Sequence, residues 1–193
     1  MKKTLFAIAA VLLGCEGYEQ YYDAAGVLDL DPVAAEQECY QGNVCAGNPD
    51  SLEAVSEYRC IDGDINLRFT TQAQVDAVSH LERINGVLNI SYSREVVAIE
   101  FPHLQVVTGI VDVYDNGALG EIAFDSLQSV ESLLVELNPK LTVIDAPALA
   151  EIDNQLTVQR NKTLELEETC MLLDQLTEPP GGLELNEWEH CGE

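Results

Sequence analysis

The sequence is poor in basic residues. It has nine lysines and arginines against 34 aspartates and glutamates, which gives a formal net charge of −25. Nucleic acid and anionic membrane surfaces attract proteins through positive charge, so this balance excludes both as electrostatic partners. Three explanations of the acidity stay open: adaptation to salty surroundings, attraction of a cationic partner, and calcium binding, although no segment matches a calcium loop.

Motifs that carry catalysis or bind metal are also lacking. The sequence contains no C-x-x-C pair, phosphate-binding loop or nucleophile motif, and its five arginines are dispersed. Its one tryptophan, Trp188, lies near the C-terminus, and the three histidines are not spaced near cysteines as zinc ligands would be. We therefore predict a non-enzymatic protein with no cofactor and no metal. The alternatives are a β-helix enzyme or binding protein that acts on polysaccharide, and a purely structural envelope protein.

Long hydrophobic runs are absent except for a short one near the N-terminus. The run Leu5–Leu13 follows Lys2 and Lys3 and is too short for a stable membrane anchor, which is typical of a secretory signal. It ends in LLGC, which resembles a bacterial lipobox with Cys15 as the lipidated residue. We predict a lipoprotein signal peptide at residues 1–14 and a lipid anchor in the bacterial cell envelope, most simply the outer membrane or cell surface. The alternative is a soluble secreted protein.

The segment that follows the signal predicts a tether. Residues 15–44 are acidic and lack a sustained apolar pattern, as is typical of flexible segments. The tether would hold the rest of the protein at some distance from the lipid.

Apolar residues then recur with a nearly constant period. The stretch EFPHLQVVTGIVDV, residues 100–113, fits neither one helix nor one strand, and related stretches precede and follow it. Paired apolar positions, written Φ-x-Φ, align with steps of 23, 23, 24 and 21 residues. The aligned pairs are Ile65/Leu67, Leu88/Ile90, Val111/Val113, Val135/Leu137 and Leu156/Val158. A period of this length predicts a repeat architecture.

Each copy predicts one coil of a solenoid. The Φ-x-Φ pair is typical of a short strand, a turn is predicted at Asn116, Asn138 and Asn161, and two further apolar segments complete the period. One coil cannot bury its apolar face alone, so the coils must stack. We predict a mainly β fold, a right-handed parallel β-helix or solenoid of about five coils with a period near 23 residues. Only residues 70–81 are predicted to form a helix.

The pattern F-P-x-L-x-x-V-x-G-x-Φ-x-Φ, complete from Phe101 to Val113, resembles the receptor L domain. That family has a leucine-rich-repeat-like β-solenoid and occurs in insulin-receptor-type ectodomains and in some microbial surface proteins. The resemblance implies a module that presents a flat sheet to another protein or to a surface glycan. We assign residues 45–168 to this solenoid and residues 169–193 to a C-terminal cap.

The six cysteines indicate an oxidising compartment. Cys170 and Cys191 flank the segment after the solenoid, so a disulfide between them would pin the cap over the last coil. At the other end Cys60 should pair with Cys45 or Cys39, which leaves one thiol over if Cys15 is lipidated.

The predicted coil alignment also gives a candidate binding face. Outward positions on the Φ-x-Φ strand would place Val87, Ile110 and Leu134 in one aliphatic row. A neighbouring row would contain the carboxylates Asp112 and Glu136, with Tyr114 beside them. An apolar stripe next to polar residues is typical of a protein-binding face or a homodimer contact. Two alternatives stay open: the tether or cap covers the stripe, or the alignment slips by a residue.

Overall fold

The structure is a computed structural model, and it describes residues 39–185 and residue 191. The described part is mainly β, with three short helices. The helices are α1 (Pro49–Val55), α2 (Gln72–Asp76) and α3 (Leu166–Asp174). The strands are β1 (Tyr40–Gln41), β2 (Val44–Cys45), β3 (Cys60–Asp62), β4 (Ile65–Arg68), β5 (Arg83–Asn85), β6 (Leu88–Ser91), β7 (Ala98–Glu100), β8 (Val106–Tyr114), β9 (Glu121–Ala123), β10 (Ser129–Glu136), β11 (Val143–Asp145), β12 (Glu151–Gln159) and β13 (Gly182–Leu185).

The strands pair in parallel and form two sheets. The larger has ten strands, in which the long strands β8, β10 and β12 lie side by side and β13 pairs with β12. The first part of β8 pairs with β5, and its last part pairs with β6. The smaller sheet has the order β11-β9-β7. The first passes add two short strands to the larger sheet, as with β3 and β4, whereas the later passes add one long strand to it and one short strand to the smaller sheet.

The register fixes which residues stack. Leu88 and Ile90 lie beside Ile65 and Leu67 on one side and beside Val111 and Val113 on the other, as predicted. In the next pass Leu133 and Val135, not Val135 and Leu137, occupy the equivalent positions.

The slip of two residues has a local cause. Val130 pairs with Val107 but Ser132 pairs with Ile110, so β10 crosses this irregularity with one residue where β8 uses two. The true steps between paired positions are therefore 23, 23, 22 and 23 residues. The handedness and the number of coils of the predicted solenoid stay predictions.

The inner positions of the passes form a continuous core. Phe101, Leu104 and Val107 from the stretch with the ambiguous spacing are fully buried. Phe101 packs against Phe124 of the next pass, with ring centroids 5.9 Å apart. Burying such side chains contributes roughly 1.5–3 kcal/mol each.

Steric crowding explains why one position of the repeat motif, Gly109, is a glycine. The Gly109 N–H donates a hydrogen bond to the Gly86 carbonyl oxygen at 3.1 Å. A Cβ added to Gly109 would lie 2.7 Å from the same oxygen, closer than real Cβ atoms approach. Adjacent passes can stack this closely only because no side chain lies between them.

Five turns share an unusual backbone conformation. Phe69, Tyr92, Asp115, Leu137 and Arg160 all have a positive φ, between 50° and 58°, and each lies at or just after the end of a strand of the large sheet. We call these residues the turn row. A side chain in this conformation costs about 1–2 kcal/mol, so the surrounding structure must hold it there.

Asparagines hold three of these turns. The Asn138 side-chain oxygen accepts hydrogen bonds from the Asn116 N–H at 3.0 Å and from Asn116 Nδ2 at 3.2 Å. The Asn138 N–H donates to Asn161 Oδ1 at 2.9 Å, and Asn138 Nδ2 donates to the Val113 carbonyl at 2.9 Å. All three asparagines are buried, so the predicted turn residues form an internal ladder of hydrogen bonds.

The folded region begins earlier than predicted. Residues 40–41 pair with β3 and residues 44–45 pair with β4, so the predicted end of the tether at residue 44 is too late. Cys39 is disulfide-bonded to Cys60, which decides between the two partners considered for Cys60. Cys45 is buried and also disulfide-bonded, so the expectation of a leftover thiol is wrong for the described cysteines. Residues 1–38, which include Cys15, lie outside the described residues.

At the other end a cap covers the last pass. Cys170 is disulfide-bonded to Cys191, the pair that the sequence analysis selected. Strand β13 pairs with β12 and extends the sheet by one strand, and Leu172 of α3 is buried in the core.

The prediction of a single helix is wrong, because α1 and α3 lie at the two ends and the helix within residues 70–81 spans only Gln72–Asp76. Within the described residues, no helix has the length and apolar character needed to cross a membrane.

Candidate functional site

The predicted aliphatic row does not form. Ser132, not Leu134, pairs with Ile110, and Leu134 pairs with Asp112 and Thr157. Ile110 is only 7% exposed, and Val87 and Leu134 are partly buried. The stripe of adjacent aliphatic residues is therefore wrong, because the alignment on which it depended slips at the β8–β10 irregularity.

The polar positions beside it are more buried than a solvated sheet face would be. Asp112 is 8% exposed and Asn89 is 1% exposed. Asn89 Nδ2 donates to Asp112 Oδ2 at 2.8 Å, and Ser91 Oγ donates to Asn89 Oδ1 at 2.8 Å. This part of the face is a closed network in which the Asp112 carboxylate already has a donor.

Glu136 lies beside Tyr114, not beside Asp112 as predicted. Burial raises the pKa of the Glu136 carboxyl, Arg160 opposes this, and Asp112 and Glu184 add to it. Burial also raises the pKa of Tyr114, with smaller contributions from Tyr92 and from Glu136. The Tyr114 hydroxyl is thus neutral and is a hydrogen-bond donor at neutral pH.

An aromatic and arginine cluster lies next to this network, and the sequence analysis missed most of it. The Phe69 and Tyr92 rings stack with centroids 5.6 Å apart, and Tyr92 meets the edge of Tyr114 at 5.4 Å. The Arg68 guanidinium lies over the Tyr92 ring, 4.9 Å from its centroid, and 5.8 Å from that of Phe69. We call Arg68, Phe69, Tyr92 and Tyr114 the aromatic cluster. A cation held over ring faces at these distances is stabilised by the ring quadrupole.

The position of the cluster follows from the repeat. Phe69 and Tyr92 are the first two members of the turn row, 23 residues apart. The left-handed backbone directs both side chains away from the core, and Phe69 is 74% exposed. Each of these residues lies two positions after a Φ-x-Φ pair, and this constant spacing was the sequence signal that could have located them.

A cleft of about 390 Å³ adjoins the cluster. It lies beyond the end of β2, where the small residues Ala46 and Gly47 leave room beside Arg68 and Phe69. Its lining is completed by Cys45, Asn66 and Gln74. Ligand pockets usually have volumes of roughly 300–1,000 Å³, so the cleft can hold a small group.

Two residues that line the cleft each have one buried polar atom without a hydrogen-bond partner among the described residues. The atoms are Asn66 Oδ1 and Arg68 Nε. Buried polar atoms are nearly always paired, and unpaired ones need an explanation. Both residues line the cleft, but these two atoms are shielded from solvent.

Two histidines of the repeat have different settings. His80 Nε2 lies 3.0 Å from the Tyr58 carbonyl oxygen and 3.3 Å from that of Val55, at the end of α1. His103 is exposed. His80 therefore has a structural role in holding α1. Within residues 39–185 and 191, no group of three or more histidine, cysteine, aspartate or glutamate side chains could hold a metal ion.

The comparison with protein families agrees with this architecture. The model of the receptor L domain matches residues 59–177, which is more than half of the chain. The chain belongs to the receptor L domain family. The resemblance inferred from residues 101–113 is confirmed. No curated protein and no solved structure matches the chain.

Membership of the receptor L domain family indicates a binding function. It is a family of binding domains and not of enzymes, and it implies protein ligands in general. Together with the two disulfides, it indicates an extracellular or secreted location. The aromatic cluster and the cleft are the described features of this receptor L domain that are best suited to contact a ligand.

Proposed function

We propose that this receptor L domain is an extracytoplasmic ligand-binding module whose contact surface is centred on the aromatic cluster. The observation that carries the proposal is the exposed Phe69 ring. It is the most exposed large apolar side chain of the described residues, and it lies in a left-handed conformation that costs stability. A residue that is strained and exposed contributes little to folding, so its placement favours a role in binding.

The composition of the cluster supports a binding role. Aromatic residues and arginine are the side chains that most often dominate binding energy at protein interfaces. Here they are pre-arranged, because Arg68 is held against Tyr92, and Tyr92 in turn contacts Tyr114. A pre-arranged surface loses little side-chain entropy on binding. The partly buried Glu136 and Tyr114 extend this surface across the sheet.

The surroundings of the cluster favour a neutral or cationic partner. The chain carries a net charge of −25, which repels anionic molecules at long range. The ligand is a protein or a surface glycan. A second copy of the chain is a third partner that the same surface could bind.

The test is a crosslinking capture from envelope extracts with the full chain. Phe69→Ala combined with Tyr92→Ala removes the stacked rings, and Val97→Ala combined with Met171→Ala is the matched control. Val97 and Met171 are also exposed apolar residues, and they lie outside the cluster. We expect a partner captured by the parent and by the control to be lost with the cluster variant. A partner retained by the cluster variant would place the binding surface elsewhere.

We also propose a lipid anchor at Cys15, which requires that Cys15 is not the cysteine bonded to Cys45. The LLGC motif and the preceding apolar run support it, and the acidic segment that follows would separate the domain from the membrane.

We also propose that the parallel strands wind as a right-handed solenoid of about five coils, since parallel crossovers are right-handed in nearly all proteins.

Mass spectrometry of the N-terminal peptide tests the anchor. We expect Cys15 to carry acyl chains, and Cys15→Ala to move the protein to the soluble fraction. Recovery of Cys15 in a disulfide with Cys45, without acyl chains, would contradict the anchor and favour secretion of a soluble protein.

A further inference from the structure

The aromatic cluster carries polar atoms that are open to solvent. The Tyr92 and Tyr114 hydroxyls and both Nη atoms of Arg68 have no hydrogen-bond partner within the described residues. Solvent shielding does not affect them, because the shielded and unpartnered side-chain atoms of the described residues are Asn66 Oδ1 and Arg68 Nε. The hydroxyls and the Nη atoms can therefore reach a ligand, whereas Arg68 Nε cannot.

These groups are chiefly hydrogen-bond donors. An arginine guanidinium donates and never accepts, and a tyrosine hydroxyl does both. Burial raises the pKa of Tyr114, with a smaller contribution from Tyr92, so the Tyr114 hydroxyl keeps its proton at neutral pH. Phe69 adds a ring without polar atoms, and the four side chains of the cluster include no carboxylate or carbonyl oxygen. The cluster therefore suits a ligand that is rich in acceptors and poor in donors.

Charge restricts the ligand further. The net charge of −25 repels an anionic ligand at long range. The Arg68 guanidinium, 4.9 Å from the Tyr92 ring centroid, repels a cationic side chain that approaches the same ring. The part of the ligand that meets the cluster is therefore uncharged. Backbone carbonyl oxygens of a polypeptide meet this requirement, and they can accept from Arg68 and from the hydroxyls.

The spacing of the rings suits an extended helix with three residues per turn. Tyr92 lies between Phe69 and Tyr114, at centroid distances of 5.6 and 5.4 Å, so the two outer rings are at most about 11 Å apart. A polyproline II helix advances about 9 Å per turn, so prolines three residues apart can contact both outer rings. Phe69 is largely exposed, and the electron-rich face of an aromatic ring attracts the polarised C–H groups of a proline.

A proline-rich segment also has the matching backbone chemistry. The polyproline II helix has no internal hydrogen bonds, so its carbonyl oxygens are exposed, and each proline lacks an N–H. Other extended peptides present an N–H at every residue, for which the cluster has no carbonyl or carboxylate partner. The helix is ordered before it binds, which lowers the entropy cost of binding, and aromatic surfaces are its usual recognition sites.

We propose that the aromatic cluster binds a proline-rich segment of a partner protein, with the spacing P-x-x-P and the polyproline II conformation. Two prolines contact Phe69 and Tyr114, and carbonyl oxygens of the segment accept from Arg68 Nη and from the tyrosine hydroxyls. The inference rests on the proposed function and specifies the partner class. An ordinary extended peptide and a sugar are the competing outcomes of the test.

The test is a titration of the full isotope-labelled chain, followed by amide chemical shifts. The probe is an uncharged seven-residue peptide, acetylated and amidated, with proline at the first, fourth and seventh positions and glutamine between them. A matched peptide has alanine in place of each proline, and methyl glucoside is the sugar probe. We expect the proline peptide to shift the amides of Phe69, Tyr92 and Tyr114 and to bind about fivefold more tightly than the alanine peptide. Equal affinity of the two peptides, shifts with the sugar alone, or no shifts at these amides would overturn the inference.

Variants locate the contact. Tyr114→Phe removes one hydroxyl and keeps the ring, and we expect it to weaken binding of the proline peptide about fivefold, as expected when a hydrogen bond is lost. Phe69→Ala removes a ring contact and should weaken binding about tenfold. Tyr58→Phe is the matched control, because Tyr58 packs against Tyr40 outside the cluster, and it should bind like the parent. Unchanged affinity of both cluster variants, with their folded spectra retained, would contradict the assignment.

The outcome is separable from that of the capture experiment. If a captured partner depends on Phe69 and Tyr92 but the proline peptide does not bind, the proposed function stands and the proline inference is wrong. If the proline peptide binds at the cluster and no captured partner depends on these residues, the proline inference stands and the captured partners use another surface.

Discussion

The turn row differs between its two ends. At Asp115, Leu137 and Arg160, each left-handed residue precedes a buried asparagine that bonds to an adjacent pass. At Phe69 and Tyr92 the following residues are Thr70 and Ser93, and the ladder ends with Ser93 Oγ donating to the Thr70 carbonyl at 2.5 Å. The same backbone turn is thus followed by a buried asparagine ladder at one end and carries the exposed Phe69 and the half-buried Tyr92 at the other.

This difference explains how a repeat can acquire a binding site. Each pass of the chain supplies one turn of the same shape, and the ladder needs only some of them to carry asparagine. Next to Phe69 and Tyr92 the asparagines are replaced by Thr70 and Ser93, which are also buried, and the aromatic residues take the outward positions. The unpaired atoms of Asn66 and Arg68 lie at this same end.

Of the variants that compare the two ends, one that breaks the ladder should have the largest effect on stability. Asn138→Ala would remove the side-chain bonds to the Asn116 N–H, to Asn116 Nδ2 and to the Val113 carbonyl. Each such loss costs roughly 1–3 kcal/mol, so we expect the free energy of unfolding to fall by about 4 kcal/mol in urea titrations. The matched variant at the other end, Ser93→Ala, should cost about 1 kcal/mol. Equal costs would remove the distinction between the two ends.

The β8–β10 irregularity accounts for one residue of the slip in the predicted alignment, and the other arises in this turn row. Val135 and Leu137 have the spacing of a strand pair, but Leu137 lies in the left-handed turn and the paired residues are Leu133 and Val135. Apolar periodicity alone cannot distinguish these cases. The spacing of 22 residues between Asn116 and Asn138 carried the correct register, because both asparagines are fixed by the same ladder.

The core and the family could be predicted from the sequence because the period repeats many times. Phe101 and Phe124 occupy equivalent positions and are both fully buried. The cleft could not be predicted. It depends on the residues at and just after the end of β2, which lie before the first recognised copy of the repeat, and on side-chain geometry that apolar periodicity does not specify.

Removing each disulfide compares the two ends directly. Cys39–Cys60 and Cys170–Cys191 each join residues 21 positions apart. A loop of this length is expected to contribute about 3 kcal/mol through the entropy of the unfolded chain. We expect paired Cys→Ser variants at either end to lose about this amount in thermal unfolding. A much larger loss at one end would show that its disulfide also holds native packing.

Asp62 and Glu131 extend the comparison between regions of the molecule to charge, because their pKa values shift in opposite directions. Hydrogen bonds from Asn85 and Gln41 lower the pKa of Asp62, whereas burial and the nearby Asp153 raise the pKa of Glu131. The stability that Asp62 contributes is present above its usual pKa of 3.8 and is lost as the pH falls through its lowered value. For Glu131 the contribution is present below its usual pKa of 4.5 and is lost as the pH rises through its raised value.

The expected mutant effects therefore have opposite signs. At neutral pH Glu131→Gln should stabilise the protein by less than about 1 kcal/mol, and Asp62→Asn should destabilise it. Both differences should shrink when unfolding is measured below pH 4, since each carboxyl is then increasingly protonated in the unfolded chain. A Glu131→Gln effect that stays constant with pH would mean that charge is not its cause.

Phe69→Ala should have the smallest effect on stability. The ring is 74% exposed, so its truncation should change the free energy of unfolding by no more than about 0.5 kcal/mol. Phe124→Ala, which empties a fully buried position, should cost roughly 3–5 kcal/mol. Urea titration of both variants measures the contrast. A loss of several kcal/mol at Phe69 would make it a structural residue, whereas a near-neutral result combined with lost ligand binding would show that this end of the turn row serves recognition.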